Sequence, residues 1–156
     1  LAIQCGVSYW KQVAGRCLDM SGRDGYADMN GMGQLECIMG GMLSIFEHET
    51  GFLKYLQEFD VFVRRYGINV ERLREYEECI MSLKPPVIAA LSKGKADGSM
   101  GFEWSAEEVC YSLAHSVFGL MKKLAWNGDL LKLDKADGGL LQVRITIALL
   151  LRGLKT

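Results

Sequence analysis

The middle of the chain carries apolar side chains at helical spacing. In residues 34–47 ("QLECIMGGMLSIFE") and 52–66 ("FLKYLQEFDVFVRRY") they recur every three or four positions, which predicts two amphipathic helices. Arg64 and Arg65 fall on the solvent side of the second helix. The predicted buried positions are Leu35, Ile38, Met39, Met42 and Phe46, followed by Phe52, Tyr55, Leu56, Phe59, Phe62, Val63 and Tyr66.

Two further helices are predicted over residues 70–91 and 104–123. In the first, Pro85 and Pro86 must kink or stop the helix, because proline lacks an amide hydrogen. The second begins at a capping box, Ser105-Ala-Glu-Glu108, ahead of a regular apolar stripe. Between them, residues 92–101 ("SKGKADGSMG") are glycine-rich and polar, so we expect a loop there. The side chains expected to face inward from residues 70–91 are Leu73, Tyr76, Ile80 and Leu83.

The C-terminal part of the chain gives a mixed pattern. Residues 127–139 ("NGDLLKLDKADGG") predict turns. In "LLQVRITIALLLRG", Gln142, Arg144 and Thr146 alternate with apolar residues as in a strand, whereas the leucines that follow favour a helix. We predict a helix, because a lone strand would have no pairing partner. The sequence therefore predicts one all-α domain over residues 1–156, with 126–156 as a C-terminal extension.

Composition narrows the class of protein. The chain has 156 residues, 49% of them hydrophobic, and a formal net charge of −1. These values exclude wholesale disorder and argue against nucleic acid as the main partner. No apolar run reaches the roughly 20 residues that a membrane span needs.

The five cysteines are odd in number and widely spaced, and none forms a C-x-x-C pair. We therefore expect buried free thiols and favour an intracellular, reducing compartment. The chain begins at Leu1, and N-terminal processing stays open.

Residues 23–36 ("RDGYADMNGMGQLE") superficially resemble a calcium loop. With Gly31 at the obligatory glycine, the first and twelfth ligand positions are Tyr26 and Cys37, and neither supplies a carboxylate. A second candidate, "LDKADGGLL", fails at its third position, which Lys135 or Ala136 occupies. We expect no metal site in either stretch.

A resemblance appears in the order of the predicted helices. The segment "HETGFLKYLQEFDVFVRRYGINVERL" resembles the part of globins that runs from the E–F corner through the F helix into the G helix, and "FEWSAEEVCYSLAHSVFGLM" resembles a globin H helix. The likeness covers about residues 34–123, and it implies a globin-like helical bundle. Val63 occupies the place of the proximal histidine, and the distal position falls around Gly31.

The departures from the globin pattern decide the expected function. Valine has no lone pair for iron, so the resemblance implies a globin-like domain that does not bind haem. Residues 1–33 are too few for the first globin helices, and about 30 residues follow the H-like helix. Two explanations stay open: rearranged terminal helices, or a different helical bundle.

The remaining candidate chemistry is sparse. His48 is expected to be a solvated corner residue, and His115 a packed residue rather than a ligand. No phosphate-binding glycine loop and no G-x-S-x-G motif occurs in the sequence, so a non-enzymatic role is favoured.

We therefore expect an accessory subunit or a sensor and interaction module that contacts a protein partner. The alternative is a carrier of haem or another cofactor with a displaced ligand. The haem-sized space is expected to be closed by Met39, Met42, Phe46, Phe59 and Phe62, or to hold an apolar ligand such as a fatty acid. Arg64 and Arg65 are the candidates for contacting an anion, such as that ligand's carboxylate, or an acidic partner.

Overall fold

The computed structural model describes residues 1–20, 22–128, 130, 132 and 136–156. Within these residues the chain is helical and has no β-strand apart from an isolated bridge between Met100 and Lys155. The prediction of an all-α fold is confirmed. The α-helices are α1 (Ala2–Cys17), α2 (Gly31–His48), α3 (Thr50–Arg65), α4 (Val70–Met81), α5 (Lys84–Ala96), α6 (Ala106–Asn127) and α7 (Leu140–Leu154).

The amphipathic patterns of residues 34–47 and 52–66 lie in α2 and α3, and the capping box lies at the start of α6. Ser105 Oγ accepts a hydrogen bond from the Glu108 amide, and the Glu108 carboxylate accepts one from the Ser105 amide. These paired bonds satisfy two donors that a helix start otherwise leaves unpaired. The predictions for residues 34–47, 52–66 and 104–123 are therefore confirmed as helices.

The single helix predicted over residues 70–91 is partly wrong: the segment is helical on both sides of a break near the prolines, which were expected to kink or stop it. The chain forms α4 up to Met81 and starts a new helix at Lys84, with Pro85 and Pro86 in the first turn of α5. Proline suits that turn because its missing N–H would be unpaired there anyway. The loop expected over 92–101 is also partly wrong, since α5 continues to Ala96.

Two terminal helices complete the bundle. The N-terminal α1, for which the sequence analysis predicted no helix, buries Val7, Trp10 and Val13 and packs on α4 and α3. The C-terminal α7 packs on α2 and α6, as a helix rather than a strand. The predicted turns over 127–139 lie partly outside the described residues. None of the described helices combines the length and apolarity that crossing a bilayer requires.

The predicted core of α3 is right at its start and wrong at its end. Phe52, Leu56 and Phe59 are buried, whereas Phe62 and Val63 are half-buried. Tyr66, expected inside, is 65% exposed because α3 ends at Arg65 and the chain turns away. Arg64 and Arg65 are exposed, as predicted. In the next segment Tyr76 is buried and Leu73 and Leu83 are half-buried, but Ile80, predicted inside, is exposed.

The start of α2 is held by side chains from the loop after α5. The amide of Gly31 donates to Asp97 Oδ2 at 2.7 Å, and that of Met32 donates to Ser99 Oγ at 3.1 Å. Asn30 accepts the next two, from Gly33 at its Oδ1 and from Gln34 at its carbonyl. Gln34 thus makes the first intrahelical bond, and the three preceding amides, which have no intrahelical partner, are all satisfied by side chains.

This arrangement predicts an acid-sensitive contribution to stability. Hydrogen bonds from Ser99, and then from the Gly31 amide, lower the pKa of Asp97. A lowered pKa in the folded state means that the stabilisation is present above the ordinary aspartate pKa and is lost as the pH falls through the folded value. We expect Asp97→Asn to remove part of the stability difference between neutral and acidic pH.

Urea unfolding of wild type and Asp97→Asn at about pH 7 and about pH 2.5 measures that difference. Asp28→Asn, in the exposed turn before α2, is the matched control and should keep the wild-type pH dependence. An unchanged pH dependence in Asp97→Asn would contradict the prediction.

Candidate functional site

An apolar cavity of about 380 Å³ lies among α1 to α6. Ligand pockets in proteins typically begin at about 300 Å³ and have mainly hydrophobic walls with few polar groups. The buried wall consists of Trp10, Met39, Met42, Leu56, Tyr76, Val87, Cys110 and Leu113.

The cavity exists because α4 does not close against α6. In the described part of the chain α4 packs on α1 and α5, and Tyr76 is its one buried residue. Exposed side chains from both helices border the opening: Glu77 and Ile80 of α4, and Tyr111 and His115 of α6. The thioethers of Met39 and Met42 add soft, adaptable surface on the inner side.

Trp10 brings a buried polar atom to this wall. Its ring meets Phe52 edge to face, with centroids 4.8 Å apart and planes at 86°, and the residue is only 5% exposed. The indole Nε1 is buried and, within the described ranges, has no acceptor at full hydrogen-bond geometry; the hydroxyl of Tyr76 is the polar group with which it interacts. Among the described residues it is the one buried side-chain nitrogen or oxygen without such geometry, and a donor left fully unpaired would cost about 1–3 kcal/mol.

Tyr76 stands beside Trp10 in the cavity wall. Burial raises the pKa of Tyr76 to about 12, and a hydrogen bond from the Trp10 indole opposes that shift. The phenol is therefore neutral at physiological pH and can donate or accept a hydrogen bond.

The lysines at the opening are already paired. Lys84 Nζ forms an ion pair with Glu107 and donates to Tyr111 Oη at 2.8 Å. Hydrogen bonds to Glu107, and then to Tyr111, raise the pKa of Lys84 to about 12. Lys122 pairs with Asp60 across the opening, joining α6 to α3.

The cysteines are free thiols, as predicted, but their expected burial is mostly wrong. Cys110 is buried in the cavity wall, and burial raises the pKa of its thiol. Cys5 is exposed, and the other three are half-buried. Cys110 is thus protonated at neutral pH and behaves as an apolar side chain.

The residues predicted to matter from the globin resemblance lie away from the cavity. Val63 is half-buried further along α3 than Leu56 and Asp60, the α3 residues in the cavity wall. Arg64 and Arg65 are exposed and also outside that wall. A side chain at Gly31 has no space, because its Cβ would lie 2.0 Å from the Gly94 nitrogen.

Of the two histidine predictions, the one for His48 is confirmed and the one for His115 is wrong. His48 is solvated, with its side chain 71% exposed. His115 is exposed rather than packed, and its ring lies parallel to Tyr111, with centroids 6.4 Å apart.

The stretch that resembles a calcium loop has a structural role. Asn30 caps α2, and Gly31 allows α2 to approach the α5 backbone. Across residues 1–20, 22–128, 130, 132 and 136–156, no group of three or more His, Cys, Asp or Glu is placed to hold a metal ion. The second candidate loop lies partly outside these residues.

Trp10 could have been found from the sequence. Val7, Trp10 and Val13 repeat at the three-residue spacing of a helix face, which was a usable signal.

Comparison with known proteins adds no identity: no protein-family model, curated protein or solved structure matches the chain.

Proposed function

We propose that this chain is a non-enzymatic helical domain that binds a small, mainly apolar molecule in the cavity bordered by α1 to α6, as a sensor or accessory module. The observation that carries the proposal is a cavity of about 380 Å³ whose buried wall is nearly all apolar. An apolar cavity of about 150 Å³ already accommodates benzene, so this one, at about 380 Å³, has room for a molecule of two or three rings.

A binding role agrees with the chemistry of the wall. A buried histidine or carboxylate in the wall would indicate catalysis, but His115, Asp60 and Glu77 are all exposed at the opening. The buried thiol of Cys110 is held protonated, which makes it a poor nucleophile. These features favour holding a molecule over transforming it.

The test is a titration with N-phenyl-1-naphthylamine, an uncharged dye that fluoresces in apolar sites. We expect saturable one-to-one binding to the wild-type chain. Ala114→Trp should abolish binding, because Ala114 lies in the cavity wall and a tryptophan there would fill the space. Ala148→Trp is the matched control on the exposed side of α7 and should bind as the wild type does.

Two outcomes would contradict the proposal. One is the absence of saturable binding to the wild type. The other is full binding by Ala114→Trp, which would place the dye elsewhere, for example on the exposed apolar residues Leu141, Ile145 and Leu149 of α7.

The globin relationship and the protein partner stay proposals beside this one. The globin-like interpretation of residues 34–123 is supported by helices over the predicted segments 34–47, 52–66 and 104–123, with Val63 in the last turn of α3. The exposed apolar residues of α7 offer a surface for the partner expected from the sequence. Neither proposal is needed for the cavity to bind a ligand.

A haem or cofactor carrier is the second candidate function. Met39, Met42, Cys110 and His115 all line the cavity, and methionine, cysteine and histidine are side-chain types that ligate haem iron. An absorption spectrum of the purified protein separates the two candidates. A Soret band would favour the haem carrier and overturn the non-haem proposal.

A further inference from the structure

The charges at the opening of the cavity distinguish between kinds of apolar ligand, and this step rests on the proposed function. We infer that the ligand is a lipophilic amine, with its apolar body inside the cavity and its protonated amino group held at the opening by the carboxylate of Glu77.

The buried wall suits an apolar body alone. It contains no charged side chain, and its two polar side chains, Trp10 and Tyr76, interact with each other. The rest of that wall is aliphatic, thioether or thiol. A charged group placed there would lose its hydration without gaining a partner. The charged group of a ligand must therefore stay at the opening, where it keeps contact with water.

The two lysines at the opening are covered by their partners. The side chain of Lys84 is 19% exposed and that of its partner Glu107 is 57% exposed. The side chain of Lys122 is 25% exposed and that of its partner Asp60 is 51% exposed. In both ion pairs the carboxylate is thus the part that faces solvent, so a ligand that approaches the opening meets negative charge first.

Glu77 adds a negative charge that nothing balances. It is exposed and borders the opening, and it forms no ion pair or side-chain hydrogen bond with the described residues, whereas the neighbouring Glu78 pairs with Arg74. Counted with Asp60 and Glu107, it gives three carboxylates against two lysines. An ammonium group at this place gains a partner without breaking an existing ion pair.

A ligand carboxylate meets the opposite situation. To reach a cation it would have to displace Asp60 from Lys122, or the existing partner of Lys84. The fatty acid expected from the sequence, with Arg64 or Arg65 at its carboxylate, therefore does not suit this cavity, since both arginines lie outside its wall.

Three probes with the same naphthalene body test the inference: 2-(1-naphthyl)ethylamine, which is protonated at neutral pH, the uncharged 2-(1-naphthyl)ethanol, and the anion 1-naphthylacetate. Calorimetric titration at low ionic strength should give a dissociation constant for the amine about 2- to 5-fold lower than for the alcohol, the range that one exposed ion pair supplies. The acetate should bind more weakly than the alcohol. Sodium chloride at about 0.5 M should remove most of the preference for the amine, because salt screens exposed charges.

Glu77→Gln locates the contact. It removes the charge and keeps the shape of the side chain, so the amine and the alcohol should bind equally while the alcohol binds as to the wild type. Glu78→Gln is the matched control, because Glu78 is the next residue of α4, lies outside the cavity wall and carries the same charge. It should keep the preference. Both side chains are exposed, so both variants should fold.

The outcomes separate the inference from the proposed function. If neither the alcohol nor the amine binds, the proposed function fails. If the alcohol binds but the amine binds no tighter, or if the acetate binds tightest, the cavity binds ligands but the inference is overturned. A preference for the amine that survives in Glu77→Gln, or that Glu78→Gln loses equally, overturns the assignment to Glu77.

Discussion

Replacing Gly31 with alanine is expected to lower the free energy of unfolding by about 3 kcal/mol or more. A Cβ at Gly31 would lie 2.0 Å from the nitrogen of Gly94, 2.3 Å from its Cα and 2.5 Å from the carbonyl oxygen of Ala90. All three atoms belong to the backbone of α5, so no rotation of a side chain can relieve the overlap. Helices α2 and α5 would have to separate.

The matched control is Gly40→Ala in the same helix. A Cβ at Gly40 meets nothing within 4 Å, and the residue is exposed. Alanine there should raise stability by about 0.5–1 kcal/mol, because glycine is the poorer helix former. Urea unfolding with an unchanged denaturant slope measures both changes. Equal effects of the two substitutions would show that α2 and α5 do not approach this closely.

Gly31 and its neighbour Gly94 show why a high glycine content does not by itself indicate a loop in this chain. Residues 92–101 contain three glycines and were predicted as a loop, yet Gly94 is buried inside α5. The Gly94 position is crowded, since a Cβ there would lie 2.7 Å from the Met100 side chain. A glycine that permits close helix packing and one that permits a turn are the same letter in the sequence. Only the partner helix distinguishes them.

Elements with both a periodic pattern and a local stop or start signal were predictable. The α6 start carries its own capping box, and α2 carries five apolar residues at helical spacing that are all buried. The break between α4 and α5 was signalled by Pro85 and Pro86 but assigned to the end of a helix. Proline occurs in the first turn of a helix as readily as it ends one. The two prolines alone therefore do not show whether they end one helix or begin the next.

The cavity depends on contacts that periodicity does not encode. Apolar spacing indicates which side of a helix faces inward, and it did so for Met39, Met42 and Leu56. Whether the inward sides of six helices meet or leave a space depends on helix lengths, crossing distances and the unpacked edge of α4. The apolar spacing of single helices therefore did not indicate this cavity, which six helices border.

Replacing an aromatic side chain with alanine is expected to cost much more stability at Phe52 than at Tyr66, at the other end of the same stretch. Phe52→Ala should lower the free energy of unfolding by about 3–5 kcal/mol, because a fully buried ring leaves a cavity that its neighbours cannot fill. Phe52 is 0% exposed and lies between Tyr9 and Trp10, with ring centroids 5.0 Å and 4.8 Å away. The loss includes aromatic pairing as well as burial.

Tyr66→Ala is the opposite case, and the comparison tests where the helix leaves the core. Tyr66 is 65% exposed and keeps one aromatic neighbour, Phe62, at 5.0 Å, so its truncation should cost less than about 1 kcal/mol. Urea unfolding of both variants measures the ratio. Similar costs would mean that Tyr66 is buried, as the apolar spacing alone predicted, and that α3 continues inward past Arg65. A steep difference would instead mean that Tyr66 lies outside the core, next to the exposed Arg64 and Arg65 at the end of α3.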